Sequence, residues 1–164
     1  MSLAVASEQD LAGVVALEQQ CFTAGERWSE QAWREEITGH DRHVVLAVAG
    51  RTETEPSGAD AMPDGAATFQ CVEDLADLHR IMVAPPRRGH RLAGQLLADG
   101  LGWARQQGAD RMLLEVREDN QPAIALYLRH GFRTIARRAN YYGAGAHALV
   151  MEARWPRENE EDDE

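Results

Sequence analysis

Glu115 stands in Leu113-Leu114-Glu115-Val116, an apolar run broken by one carboxylate, and Tyr127 follows on the next amphipathic segment. A carboxylate can accept a proton and a phenol can donate one, so both residue types have chemistry to offer where they are held in place. In a strand, Leu114 and Val116 face one way while Leu113, Glu115 and Arg117 face the other. Asp119, Asn120 and Pro122 then supply a cap and a first-turn proline. The helix continues through Ala123, Ile124, Leu126, Tyr127 and Leu128 until Gly131 stops it. Strand and helix form a corner with the glutamate on one arm and the tyrosine on the other. Taken singly, each residue has a plainer reading. Glu115 could pair with Arg117 or another arginine, Tyr127 could be a core aromatic with its hydroxyl in water, and Asn120 could be a helix cap.

A second stretch, Pro86-Arg87-Arg88-Gly89-His90-Arg91, opens a helix predicted over Gly89–Gln107, whose stripe is Ala93, Leu96, Leu97, Gly100, Leu101 and Ala104. The first turn of a helix exposes unpaired N–H groups and the positive end of the macrodipole, and with arginines beside it such a turn suits a phosphate. An arginine-rich turn taken alone can equally be solvated surface charge. An interior glycine costs ~1 kcal/mol against alanine, so keeping Gly100 on the buried stripe implies close packing on a sheet. The strands on either side, 76–83 and 111–116, make a right-handed crossover that places them parallel, with the helix N-terminus at their C-terminal ends.

The elements that must carry these stretches follow from pattern. Ser7 and Asp10 form a capping box before a helix bearing Leu11, Val14 and Val15, with Cys21 and Phe22 past its end. Ser29 caps a second helix with Trp33 and Ile37, closed by Gly39, so two helices precede the first strand, His43–Ala49. The polar segment 52–65 reads as a mobile loop. Ala67–Val72 and Ala76–Val83, joined through Glu73-Asp74, read as a hairpin ended by Pro85-Pro86.

A chain of 164 residues suits one domain, expected over 1–155, that needs no disulfide or metal staple. Cys21 and Cys71 lack ligand or CxxC spacing and read as reduced thiols, and the six histidines show no metal-ligand pairing. Residues 156–164 read as an acidic, disordered tail. From Arg157 onward it holds six acidic residues against one basic, half of the net charge of −10. Nucleic-acid binding through a broad basic surface is disfavoured. The longest apolar run, Val44–Ala49, is far short of the ~20 residues of a membrane helix, and no signal peptide is evident. The expectation is a soluble, cytoplasmic protein whose oligomeric state the sequence leaves open, with a monomer favoured.

The run Ile81-Met82-Val83, then Arg88-Gly89-His90-Arg91-Leu92-Ala93 opening a helix, then Leu114-Glu115-Val116-Arg117, Asn120, Ala125-Leu126-Tyr127 and Gly131-Phe132 resembles the acetyl-CoA-binding core of GNAT-type N-acetyltransferases. The likeness covers about residues 8–153. Leu17-Glu18 with Cys21-Phe22 and Trp28-Ser29, and Arg137-Arg138-Ala139-Asn140-Tyr141-Tyr142 followed by Ala148-Leu149-Val150-Met151, resemble the RimI-type branch, which modifies the N-terminal alanine of a small-subunit ribosomal protein.

The resemblance implies a mixed α/β (α+β) domain with a central, mostly antiparallel sheet, a splayed parallel strand pair and helices on both faces. It implies that acetyl-CoA pairs its pantetheine amides with the backbone of Ile81, Met82 and Val83. The pyrophosphate would sit on the amides of the Arg88, Gly89, His90, Arg91, Leu92, Ala93, Gly94 segment, with Asn120 reaching the cofactor from the other side. Glu115 becomes general base, directly or through water, toward an amino group that attacks the thioester, and Tyr127 general acid toward the departing thiolate. No metal takes part. The implied partner is a protein N-terminal peptide. The alternatives are an acetyltransferase for lysine side chains, other N-termini or a small amine, and a non-catalytic acyl-CoA-binding module. Two departures stand out. Arg91 occupies a position where the family's pyrophosphate loop has glycine, and is expected to enter a helical first turn with its side chain swung out or toward a phosphate. The short Gly143-Ala144-Gly145-Ala146-His147 segment bears on peptide selectivity.

Overall fold

Short apolar runs set between turns and amphipathic helices resolve, in the computed structural model, into seven strands and four α-helices among the described residues, 2–48 and 62–155. The strands are β1 (Ser2–Val5), β2 (Arg42–Val48), β3 (Gly65–Val72), β4 (Leu75–Val83), β5 (Arg111–Arg117), β6 (Arg133–Arg138) and β7 (Ala148–Arg154). The helices are α1 (Leu11–Cys21), α2 (Glu30–Thr38), α3 (Leu92–Gln106) and α4 (Gln121–Arg129). The sheet order is β1-β2-β3-β4-β5-β7-β6. The pairing of β4 with β5 is parallel and its register covers three residues, Leu75–Asp77 against Arg111–Leu113, although both strands run on beyond it. This is the mixed, open sheet that the resemblance implied.

The chain divides into two compact units. The first comprises Met1–Gln70 with His79–Gly100. Its β1, β2 and β3 pair antiparallel in sequence. Val14, Leu17, Trp33, Val44, Leu46, Ala66 and Met82 form the heart of its core. Within that core lies a charge. Glu18, 1% exposed, accepts from the Trp28 N–H at 2.9 Å, from Trp33 Nε1 at 2.9 Å and from Arg80 Nη1 at 2.7 Å. The Arg80 guanidinium is also stacked 4.1 Å from the ring centroid of Phe22 and 4.5 Å from that of Trp28. A buried carboxylate is tolerable when its lone pairs are filled in this way. Gly100 packs as its place on the α3 stripe required, since a Cβ added there would lie 2.0 Å from Cζ of the buried Phe69.

The second unit comprises Cys71–Leu78 with Leu101–Glu164. β7 is its centre, paired antiparallel along its whole length with β5, from Arg111↔Arg154 to Arg117↔Ala148, and with β6 on the other side, with an irregularity between Thr134 and Ala136. Asn120 caps α4, its side chain accepting from the Ala123 N–H, and Gly131 takes the left-handed conformation (φ 88°) that ends the helix.

Several elements depart from the sequence expectations. β1 precedes both early helices, so strand formation begins before α1. β6 was not foreseen either. All six of its residues are exposed, and Arg133–Arg138 lacks the alternation of apolar residues that marks a half-buried strand. Cys21 lies inside α1, because the Phe22 N–H still bonds to the Glu18 carbonyl. α3 begins at Leu92, three residues later than expected. The polar loop read over 52–65 falls, up to residue 61, outside the described residues, as do Ala49 and the tail 156–164. No described helix is long and apolar enough to cross a membrane.

Candidate active site

In the first unit, β4 ends at Val83, a short 3-10 turn covers Pro85–Arg87, and the exposed run to Arg91 enters α3. Proline at the start of that turn has its φ already fixed and lacks an N–H that would need a partner there. Gly89 (φ 85°) and Arg91 (φ 63°) are both left-handed. Arg91 therefore does not enter a helical first turn. It precedes the helix and adopts the conformation that glycine accepts freely and arginine at a cost of ~1 kcal/mol or more. Alternating backbone handedness of this kind gathers successive N–H groups into an anion-binding concavity, next to the unpaired N–H groups of the first α3 turn. Ile81, Met82, Val83 and the Arg88–Gly94 segment thus form one continuous strand–loop–helix passage.

The carbonyl at the end of this strand is already engaged. Val83 O accepts from Arg88 Nε at 3.1 Å and from the Cys21 thiol at 3.4 Å. A carbonyl has two lone pairs, so a pantetheine amide would be received by other backbone groups of Ile81–Val83. Burial raises the Cys21 pKa, against the lowering effect of the neighbouring Arg88, and so favours the neutral thiol.

The second unit carries Glu115 on β5, Asn120 as the cap of α4 and Tyr127 within that helix. Tyr127 is 5% exposed, its ring 5.8 Å from that of Phe132, and burial pushes its hydroxyl far above the usual phenol range, with a smaller contribution from Tyr142. Glu115 is half-buried, with Oε1 3.1 Å from Arg138 Nη1, and it hydrogen-bonds with Tyr141, an interaction that raises the Tyr141 pKa. Tyr141 and Tyr142 meet edge to face at 5.0 Å. Glu115 therefore bonds to one member of a tyrosine pair whose other member, Tyr142, acts electrostatically on the buried phenol. That pair sits on a loop closed on itself. Asn140 is left-handed (φ 57°), its side chain accepts from the Gly145 N–H at 2.8 Å, and its own N–H donates to His147 Nδ1 at 3.0 Å. In the sequence, Arg138, Tyr141 and Tyr142 are marked only by their likeness to the family. The signal of their place was the β6–loop–β7 return, hidden with the unforeseen strand.

Among the described residues no group of three or more histidine, cysteine or acidic side chains is gathered so as to hold a metal ion. The first unit thus carries a phosphate-suited turn ahead of α3, and the second carries a half-buried glutamate and a buried tyrosine on successive elements. The sequence pattern of the acetyltransferase (GNAT) family matches residues 11–132, and the chain belongs to that family of acetyl-CoA-dependent N-acetyltransferases. It is 32% identical over 136 residues to the N-alpha-acetyltransferase RimI of Mycobacterium tuberculosis, spanning 82% of this chain and 80% of that one. Its structure matches the ribosomal-protein-S18-alanine N-acetyltransferase of Escherichia coli with a TM-score of 0.80 and 26% identity, over 96% of this chain and 97% of that one. Arabidopsis thaliana NAA60, solved with acetyl-CoA, shares the fold with a TM-score of 0.79 at 18% identity, covering 93% and 97% of the two chains.

Proposed function

We propose that this chain transfers acetyl from acetyl-CoA to a protein N-terminal α-amino group, namely the N-terminal alanine of a small-subunit ribosomal protein, in the cytoplasm. The observation that carries this reading is the likeness, along most of both chains, to two enzymes named for α-amino and S18-alanine acetylation. Acetyl-CoA supplies the acetyl group as a thioester. The residues present suit it. The left-handed pair Gly89 and Arg91 and the first turn of α3 would hold its phosphates, with Arg87, Arg88 and Arg91 beside them, and the backbone of Ile81–Val83 its pantetheine arm. Asn120 would bind the cofactor in addition to capping α4.

Glu115 is assigned as general base. A terminal ammonium has a pKa of ~7.7–8.0, so a carboxylate, directly or through water, has only one readily released proton to take before the amine can attack. Tyr127 is assigned as general acid toward the departing thiolate. Burial keeps its proton in place throughout the neutral range. The test is CoA thiol release over a panel of short peptides, first one with a free N-terminal alanine, then the same peptide N-terminally blocked but carrying a lysine. Release with the free terminus alone supports the reading. Release with the blocked peptide assigns the enzyme to side-chain amines. Tight acetyl-CoA binding with no release to any amine would make the chain a binding module.

A further inference from the structure

The double arginine at the end of β6 has no part in the reactions above, yet both members reach a carboxylate. Arg137 forms a two-pronged pair with Glu118, Nε to Oε1 at 3.1 Å and Nη2 to Oε2 at 3.0 Å. Arg138 follows it in the strand, and adjacent strand residues point to opposite faces. In register Arg138 lies opposite Ala148, and Ala148 opposite Arg117, so the Arg138 side chain crosses β7 over its smallest kind of side chain and reaches back along β5 to Glu115. Its guanidinium also stands 5.3 Å from the ring centroid of Tyr141, whose hydroxyl shares the same carboxylate.

Stability does not explain this arrangement. The Arg138 side chain is 56% exposed, and ion pairs in such settings contribute ~0–1 kcal/mol. What the contacts do is remove freedom. Glutamate turns about three side-chain bonds, and a carboxylate has about four acceptor sites, so a donor at Oε1 fixes its direction and leaves sites for an amine. We propose that Arg138, steadied against the face of Tyr141, is a positioning residue that holds the Glu115 carboxylate in the orientation from which it takes the substrate's proton. This rests on the reading of Glu115 as general base. A base that wanders spends less time in a reactive geometry, which lowers turnover while leaving amine binding nearly unchanged.

The experiment compares steady-state kinetics of Arg138→Ala, Arg138→Lys, Arg137→Gln, Glu115→Gln and the double variant Glu115→Gln/Arg138→Ala, with circular dichroism checking that each is folded. Arg138→Ala should lower kcat roughly tenfold or more with the amine KM within about twofold of wild type. Lysine at 138 should recover part of the loss, and Arg137→Gln should behave as wild type. In the Glu115→Gln background, removing Arg138 should add nothing, because a residue acting through another loses its effect when that residue is gone. A wild-type kcat in Arg138→Ala beside a crippled Glu115→Gln would overturn the proposal alone, as would additive losses in the double variant or a change confined to KM. Full activity in Glu115→Gln would overturn the base assignment and this proposal with it.

Discussion

Burial leaves the Tyr127 hydroxyl able to give a proton near neutrality but not to have lost one, and it ties the residue to stability as well as to chemistry. The folded-state pKa is raised above the ordinary phenol value of 10.0, so the folded form keeps a proton that the unfolded chain sheds. Its contribution is complete below that value and falls away as pH rises past it. Tyr127→Phe should cut kcat by ~10²–10⁴ while keeping the fold, and should remove part of the wild-type loss of stability on the alkaline side, read from urea unfolding at rising pH. Arg91 makes the opposite kind of statement. It pays for a left-handed backbone that glycine takes without strain, so Arg91→Gly should leave unfolding free energy unchanged or raise it by up to ~1 kcal/mol. A clear loss of stability would mean that the arginine side chain has contacts worth more than its strain. Glu115, Tyr127 and Asn120 were legible because each stands out against its neighbours: a charge in an apolar strand, a phenol on a helix face, a cap before a proline. Arg138 was not, because one arginine among seventeen basic residues carries no mark until a strand brings it opposite Ala148.

At the scale of elements, the contact between α3 and β3 is the most exacting. Alanine is the better helix former by ~1 kcal/mol, but at position 100 its methyl group would lie within the van der Waals envelope of the Phe69 ring, which is fully buried and has nowhere to retreat. Gly100→Ala should therefore destabilise by roughly 1–3 kcal/mol, seen as a lower urea midpoint at unchanged slope. The glycine on an otherwise apolar stripe announced this packing in the sequence, though not which side chain would meet it. α2, the hairpin of β3 with β4, and β5 followed by α4 were likewise readable, since their caps, turns and alternation agree with the final structure. β1 and β6 were not. Both are edge strands, where pairing on one side and solvent on the other relax the demand for apolar residues that sequence patterns depend on.

For the whole molecule, acidic residues set both charge and pH behaviour. Glu36 is opposed by its burial but held below its ordinary value by His79, with help from Thr68 and Arg42, and Glu152 is held low by Arg154 and Arg111. Carboxylates depressed in the folded state contribute stability above their unfolded pKa of about 4.5, and that contribution disappears as pH falls through the lower folded values. Unfolding free energy should decline below about pH 4.5, and Glu36→Gln should flatten part of the decline. All seventeen basic residues are arginine, so this sequence offers no lysine side chain to acetylate. The thiol at the end of α1 provides a probe of a different kind. Cys21 donates to the last carbonyl of β4, the strand assigned to the pantetheine arm, whereas Cys71 lies at the far end of β3, beside the hairpin turn. Alkylation of the first relative to the second, run at alkaline pH where the buried Cys21 thiol ionises, is thus a ready-made footprint. With acetyl-CoA seated along β4 the ratio should drop at saturating ligand, giving an occupancy measurement that requires no turnover and no acceptor.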